Sequence, residues 1–366
     1  MRKILISLLG YTFVSQQMLA QTDSIADTRE LKAVVVKATN GIKSRFRVDN
    51  AEIIGQGQLI RAACCNLGES FTANPSVDVS YSDAATGAKQ IKLLGLSGTY
   101  VQMLTENVPN LRGAALPYSL GYVPGPWMQS IQVSKGASSV KNGYESTTGQ
   151  INIEFLKPQG TDGVRANVYQ DSELKTEVNL DGSVHLNERL STATLLHFEN
   201  RQMDHDGNGD GFMDMPKLRQ YNLMHRWAYV SPRWISQLML RGLHDERNGG
   251  QSRKHAAADS SEPLYTTSVK TNRYEAQWKN GFTLNADHNT SVALMLHGSW
   301  HDADNIFGRT EYDVTQKNGY AQLMFETDIT EHHNLRDVGF EHQLRISVLL
   351  GDIILGASED VVCIVP

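Results

Sequence analysis

From residue 162 onward, apolar and polar positions alternate over long runs. Val164, Ala166 and Val168 fall on one face and Arg165, Asn167 and Tyr169 on the other. Leu174, Thr176, Val178 and Leu180 oppose Lys175, Glu177 and Asn179. Tyr274, Ala276, Trp278 and Phe282 oppose Arg273, Glu275, Gln277 and Lys279, and Val292, Leu294, Leu296 and Trp300 oppose Ser291, Ala293, His297 and Ser299. A period of two is that of strands with unlike faces. Roughly eight or nine strands of membrane-spanning length fit between 162 and 344.

Two architectures give this pattern: a soluble sandwich with its apolar faces inside, and a membrane barrel with its apolar face in lipid and its polar face toward the lumen. The connections discriminate. Counted from the first strand, the even ones are short, at Asn187-Glu188, 231–233, 285–288 and 330–334. Most odd ones are long, at 203–217, 247–267 and 304–314, and only the first, near 171–173, is short. Short turns at one end and long loops at the other favour the barrel.

The region before 159 has a different texture. Across 131–153, Ile131 and Val133 alternate with Gln132 and Ser134, and Ile151 and Ile153 with Gln150 and Asn152. Gly136, Gly143 and Gly149 stand where the chain turns or meets another backbone closely, which glycine does at least cost. Val77-Asp78-Val79 alternates likewise, and a short helix is expected over 66–71, with Leu67, Ser70 and Phe71 inward.

The first twenty residues read as a secretory signal: Arg2 and Lys3, an apolar stretch over 4–14, and Ala20 before the cut, although Met18 is larger than the residue usual at that place. The chain has 366 residues, 20% of them charged, and a net charge of −6. That balance offers no basic field for nucleic acid. No further apolar run of about 18 residues occurs, so a helical membrane protein is excluded and a barrel is not. Cys64 and Cys65 are adjacent and Cys363 is distant, without CxxC spacing, and Cys64 and Cys65 read as small buried residues.

The spelling of 131–153 resembles the end of the plug domain of TonB-dependent outer-membrane receptors. Gln132-Val133-Ser134-Lys135-Gly136 stands for the first half of that pattern and residues 144–153, YESTTGQINI, for the second. Lys135 replaces the usual arginine, and Gln150 takes the place of a second glycine. Upstream, Asn74-Pro75-Ser76-Val77, Ile91 to Leu96, Tyr100 to Pro109, and Tyr122-Val123-Pro124 with Met128 and Ile131 fall in the family's order. The resemblance covers about 31–158.

It implies an α+β plug followed by antiparallel transmembrane β-barrel strands, here a partial barrel, since the plugged transporters have about 22 strands. The division it suggests is a signal at 1–20, a periplasmic segment at 21–45, the plug at 46–158, barrel strands at 159–344 and an atypical tail at 345–366. That tail lacks clean alternation and the terminal aromatic residue that barrel assembly machinery reads, so a truncated or frameshifted product is expected. The resemblance also implies energy-coupled uptake of a scarce large ligand: a siderophore, a metal or haem complex, cobalamin or an oligosaccharide. The run Val34, Val35, Val36 stands where the TonB box pairs by strand addition with the periplasmic energy transducer. Ligand contacts are expected on the plug loops 80–89 and 110–118, with Ser82, Asp83, Arg112 and Tyr118 as candidates. The implied setting is the outer membrane of a Gram-negative cell, with outer-membrane lipid around the strands.

Residues 204–214, DHDGNGDGFMD, carry oxygen ligands at the first, third, fifth and seventh places (Asp204, Asp206, Asn208, Asp210) and glycine at the sixth. That is calcium-loop spacing, with Asp214 one place before the usual glutamate; the alternative is a solvated acidic turn. Calcium there would stabilise a loop, and no cofactor is required. His197, His297 and His301 fall on lumen faces, and His332-His333 in a turn at the other end. No nucleophile elbow, phosphate loop or HExxH spacing occurs, so no enzyme is expected. The competing readings are a surface module that binds without transport, and a secreted soluble sandwich.

Overall fold

A computed structural model describes residues 51–61, 65–72, 74–136, 145–160, 163–252, 263–285 and 290–328, with the backbone of four further strands between 334 and 364. The signal region, the Val34–Val36 run and His332-His333 lie outside the described residues.

The plug begins with β1 (Ala51–Gly55) and the helix α1 (Gln56–Arg61). A 3-10 turn, Leu67–Phe71, follows where the short helix was expected. The Asn66 side chain caps it by accepting from the Glu69 N–H at 3.3 Å, while Leu67 and Phe71 go into the core. β2 (Val77–Asp83), β3 (Ala88–Leu93) and β4 (Leu96–Ser97) form one small sheet. A second, in the order β1-β7-β8-β5-β6, adds β5 (Val101–Thr105), β6 (Val108–Pro109), β7 (Met128–Lys135) and β8 (Gly149–Phe155). The alternating pairs of 131–153 sit opposite each other, Ile131 against Ile153 and Val133 against Ile151. All four are fully buried with Trp127, Phe155 and Leu93.

The long strands are β9 (Gly163–Gln170), β10 (Thr176–His185), β11 (Leu190–Arg201), β12 (Lys217–Val230), β13 (Trp234–Gly250), β14 (Thr266–Asn285), β15 (Thr290–Phe307), β16 (Thr310–Asp328) and β17 (Asn334–His342). Each pairs antiparallel with its neighbour in sequence, which gives the expected strand count. β18 (Leu344–Leu349), β19 (Asp352–Ala357) and β20 (Val361–Ile364) continue at that edge, β18 on β16 and β20 on β17. Within 345–366 the described strands thus carry backbone pairing at that edge. Among the described residues β9 has a partner on one side only, and the sheet does not close.

Two loops differ from expectation. Residues 304–314 are not a long loop: β15 and β16 run on through them and turn at Gly308-Arg309, with Gly308 at φ +63°. Polar residues from Asp304 onward read as a loop, but the register is unbroken, Ala303 opposite Val314 and Asn305 opposite Tyr312. The loop expected at 247–267 narrows to 251–265, because β13 and β14 extend further.

Burial along these strands is inverted relative to a soluble sheet. On β10, Glu177 and Asn179 are 1% and 2% exposed, whereas Val178 and Leu180 are 38% and 40% exposed. On β14, Arg273, Glu275 and Gln277 are buried while Tyr274, Trp278 and Phe282 are exposed. The polar face packs against the plug, and the plug's apolar core continues onto inward Ala193, Leu195, Met224 and Met239. The outward face has aromatic residues at two levels. Near the short turns Trp234 lies 4.8 Å from Tyr229 and stacks on Phe282 at 5.7 Å; eight residues higher, Tyr274 lies 6.2 Å from Trp300. Between them run Leu238, Trp278, Leu296 and Ala321, in one cross-strand row. Aromatic girdles around an apolar band mark a face that meets lipid. No helix among the described residues is long and apolar enough to cross a membrane, which says nothing against crossing by strands.

This face makes a testable demand. Leu296→Arg, in the middle of the band, is expected to cost about 2–4 kcal/mol of folding into bilayers. The same change on an exposed face in water would stay within about 0.5 kcal/mol. Urea titration of the folded protein in lipid vesicles measures the difference.

Candidate functional site

The plug is held to the wall by ionic contacts at one turn. Glu106 and Asn107 link β5 to β6 with φ of +52° and +66°, the pair of left-handed residues that a two-residue hairpin turn requires. Asparagine tolerates that conformation; glutamate seldom adopts it. Three cations surround Glu106. Lys157 Nζ of the plug lies 2.6 Å from its Oε1, Arg226 Nη2 of β12 lies 2.7 Å from the same oxygen, and Lys279 Nζ of β14 lies 3.5 Å from Oε2. Lys279 also donates to the Glu106 carbonyl, and Arg226 Nη1 to that of Leu156 at 2.9 Å. The Asn107 N–H donates to Asn152 Oδ1 at 2.7 Å. Burial alone would raise the Glu106 carboxyl, but Arg226, Lys157 and Lys279 outweigh it and hold the group well below the usual carboxylate range.

Higher on the wall the contacts are hydrogen bonds to the plug backbone and to one plug side chain. Asn222 donates to the Tyr122 carbonyl at 2.8 Å and Gln220 to that of Gly121 at 3.2 Å, while Arg273 reaches Asn110 Oδ1 at 2.7 Å. Gly249 of β13 passes so close to the plug that a Cβ there would stand 1.8 Å from the Ala85 carbonyl oxygen.

Beyond these contacts, at the end of the long loops, lies a vestibule of about 470 Å³ between the plug segment 113–118 and the inward faces of β14–β16. Tyr118, Phe307, Tyr312, His301, Asn305 and Gln316 are among its walls. Its floor is fixed where the Ala114 N–H donates to Gln316 Oε1 at 2.7 Å, an approach made by Gly113 at φ +65°. Its size is that of small-ligand sites. A second cleft on the other side of Tyr118 is lined by Glu69, Lys89, Lys175, Glu199 and Arg247.

The structure separates the four loop candidates. Tyr118 lines both spaces, with the Arg247 guanidinium 5.0 Å from its ring centre. Arg112 pairs with Glu145 at 2.9 Å. Asp83 accepts from the Ala85 N–H at 3.1 Å and the Thr86 hydroxyl at 2.5 Å, and Ser82 lines a groove of about 180 Å³ within the plug. His197, His297 and His301 are inward and buried, and so is Cys65. The vestibule wall at Asn305, Phe307 and Tyr312 was not foreseen, because those residues fell in the supposed loop; the continued alternation of Ala303, Asn305 and Phe307 was the available signal.

In the acidic loop the carboxylates face backbone N–H groups. Asp206 accepts from Gly209 at 2.7 Å and Gly211 at 2.9 Å, Asp210 from Phe212 at 2.8 Å, and Asp214 from Gly207 at 2.7 Å. Asn208 Oδ1 accepts from the Asp210 N–H at 3.0 Å, and Asp204 lies 3.9 Å from Lys217. Among the described residues no three His, Cys, Asp or Glu side chains are grouped to hold a metal ion.

No protein-family model and no curated protein matches the sequence. Solved structures do match in fold. The siderophore receptor PiuA from Acinetobacter baumannii superposes with a TM-score of 0.64 at 11% identity, over 81% of this chain and 45% of that one. The FrpB iron transporter from Neisseria meningitidis gives 0.63 at 13% identity, over 82% and 49%. The unliganded ferric citrate transporter FecA gives 0.60 at 17% identity, over 85% and 50%. The chain thus spans about half the length of the solved receptors it matches. Over that half, its fold is that of the plug and part of the barrel of these solved receptors.

Proposed function

We propose that this chain is the plug and first barrel strands of an outer-membrane receptor that takes up a scarce ligand with energy from a TonB-type transducer. The observation that carries the reading is the seating of a compact plug against the polar face of strands whose opposite face is an aromatic-bordered apolar band. A sheet with that inside-out character lines one side of a polar lumen, and a plug seated on it stands where it blocks free diffusion. The vestibule is then where ligand meets the plug from outside. Transport requires the plug to loosen from the Glu106 contacts when pulled from the periplasm.

Coupling is assigned to Val34, Val35 and Val36, whose β-branched run suits pairing with a strand of the transducer. The test is binding of the isolated transducer periplasmic domain to the protein in detergent. Val35→Pro, which removes a backbone donor from the added strand, is expected to weaken that binding about tenfold or more. If the domain fails to bind the unaltered protein, transport gives way to a surface module that captures ligand without coupling.

A further inference from the structure

We infer that the plug stays on β11–β13 when it loosens and parts from β14–β16, opening a passage for the ligand along Arg273, Gln277, His297 and His301. The inference rests on the transport reading and adds which sector of the wall lets go. Toward β11–β13 the plug is joined by apolar packing and by bonds to its backbone. Its core runs onto Ala193, Leu195, Met224 and Met239, and among the described residues none of β14–β16 belongs to that core. Arg226 donates to the Leu156 carbonyl at 2.9 Å, and Arg241 and Asn222 donate to that of Tyr122. The Arg241 guanidinium lies 5.8 Å from the Trp127 ring centre.

Toward β14–β16 the docked plug leaves wall groups unsatisfied. Gln277 stands directly across from His297 and Arg273 from His301, and all four are at most 6% exposed. Gln277 Oε1 and Nε2, both ring nitrogens of His297, His301 Nδ1 and Arg273 Nη1 have no hydrogen-bond partner among the described residues. On β11–β13 the only such buried atom among the described residues is Gln220 Oε1. Docking strips these groups of water without replacing its hydrogen bonds, which costs free energy that parting returns. Parting from β11–β13 would instead wet leucine and methionine side chains.

The plug segment on the β14–β16 side is also strained. Glu106, Asn107 and Leu111 have φ of +52°, +66° and +55°, a conformation that leucine adopts only under constraint. Asn110 supplies the constraint: its Oδ1 accepts from the Leu111 N–H at 2.8 Å and from Arg273 Nη2 at 2.7 Å. Of the three cations on Glu106 only Lys279 belongs to the parting sector, so Arg226 and Lys157 remain. The bonds from Ala114 to Gln316, Tyr122 to Thr271 and Thr267 to Ala85 each exchange with water at small net cost. His301 and Gln316 line the vestibule, so the passage begins where the ligand is first held.

The sector can be read without ligand or transducer. Ser299→Cys on β15 and Ala193→Cys on β11, both at buried inward positions, are placed singly in a protein whose Cys64, Cys65 and Cys363 are replaced by alanine. Met239→Cys stands in if Ala193→Cys does not fold. Labelling by neutral methyl methanethiosulfonate is followed in lipid vesicles, in urea below the concentration that melts the strands, each rate taken relative to that of the unfolded chain. Labelling at 299 is expected to be about tenfold or more faster than at 193. His297→Leu, and separately Gln277→Leu, remove groups that lack partners and should each slow labelling at 299 about tenfold. Equal rates at the two positions, or a faster rate at 193, overturn the inference and leave the transport reading standing. A rate at 299 that neither leucine variant slows overturns it too. No labelling at either position means a plug that does not part from the wall, and removes the transport reading as well.

Discussion

Glu106→Gln is expected to release the plug. The substitution keeps the shape of the turn but removes the one carboxylate shared by Lys157, Arg226 and Lys279, leaving three cations close together; the side chains of Glu106 and Arg226 are 3% and 2% exposed. Glu154, which pairs with Lys157 at 2.8 Å, balances only one of them. Breaking a buried pair by removing one partner costs about 3–5 kcal/mol, because the remaining charge stays desolvated. The left-handed Glu106 backbone adds strain that its bonds now offset. The population of plug open to protease should therefore rise by about a hundredfold or more, measured as the rate of tryptic cleavage within 51–158 in protein folded into vesicles. The pH dependence follows from the lowered carboxyl. Its contribution is fully present above the ordinary value of 4.5 and is lost only as pH falls through the much lower folded value. The unaltered plug should thus stay docked at pH 4.5, and the variant should lose that acid-range transition.

Gly149→Ala is expected to break the plug from within. Gly149 opens β8 at φ +153°, between β7 and β5, and a Cβ there would lie 2.2 Å from the Ser134 carbonyl oxygen and 2.5 Å from Leu93 Cδ2. Neither neighbour can yield, since one is backbone of the adjacent strand and the other a fully buried side chain. The cost should reach about 3 kcal/mol or more, the upper range of overpacking. Gly136→Ala is the matched control. Its φ is +82° but no atom lies within 4 Å of the added carbon, so only the left-handed backbone penalty of about 1–2 kcal/mol applies. Unfolding of the plug in urea, followed by Trp127 fluorescence, should separate the two variants clearly.

These two residues also mark what was legible in the sequence. Gly149 could be singled out because glycine beside an alternating strand signals a close approach, and the packing bears that out. The alternation of β10, β14 and β15 identified their inward and outward residues, since the period of two survives whatever the strand pairs with. Glu106 carried no such signal. Its wall partners lie 120 and 173 positions away, on strands where Arg226 and Lys279 look like any other inward polar residue. The vestibule was hidden for a related reason. Polar spelling from Asp304 resembles a loop when the strand is expected to end at the membrane, but β15 and β16 continue past that level as a hairpin. His301 was placed on the lumen face, whereas its role as a vestibule wall depends on Gln316 docking against Ala114, a contact between plug and wall.

At 294–298 of β15 the even-numbered residues face lipid while the odd ones face the plug. Nitroxide labels placed singly at 294, 295, 296, 297 and 298, in protein folded into lipid vesicles, test it most directly. Labels replacing Leu294, Leu296 and Gly298 should relax strongly with oxygen and weakly with a water-soluble nickel chelate, and those replacing Met295 and His297 should be shielded from both. Strong nickel relaxation at the even positions would place that face in water and contradict the account.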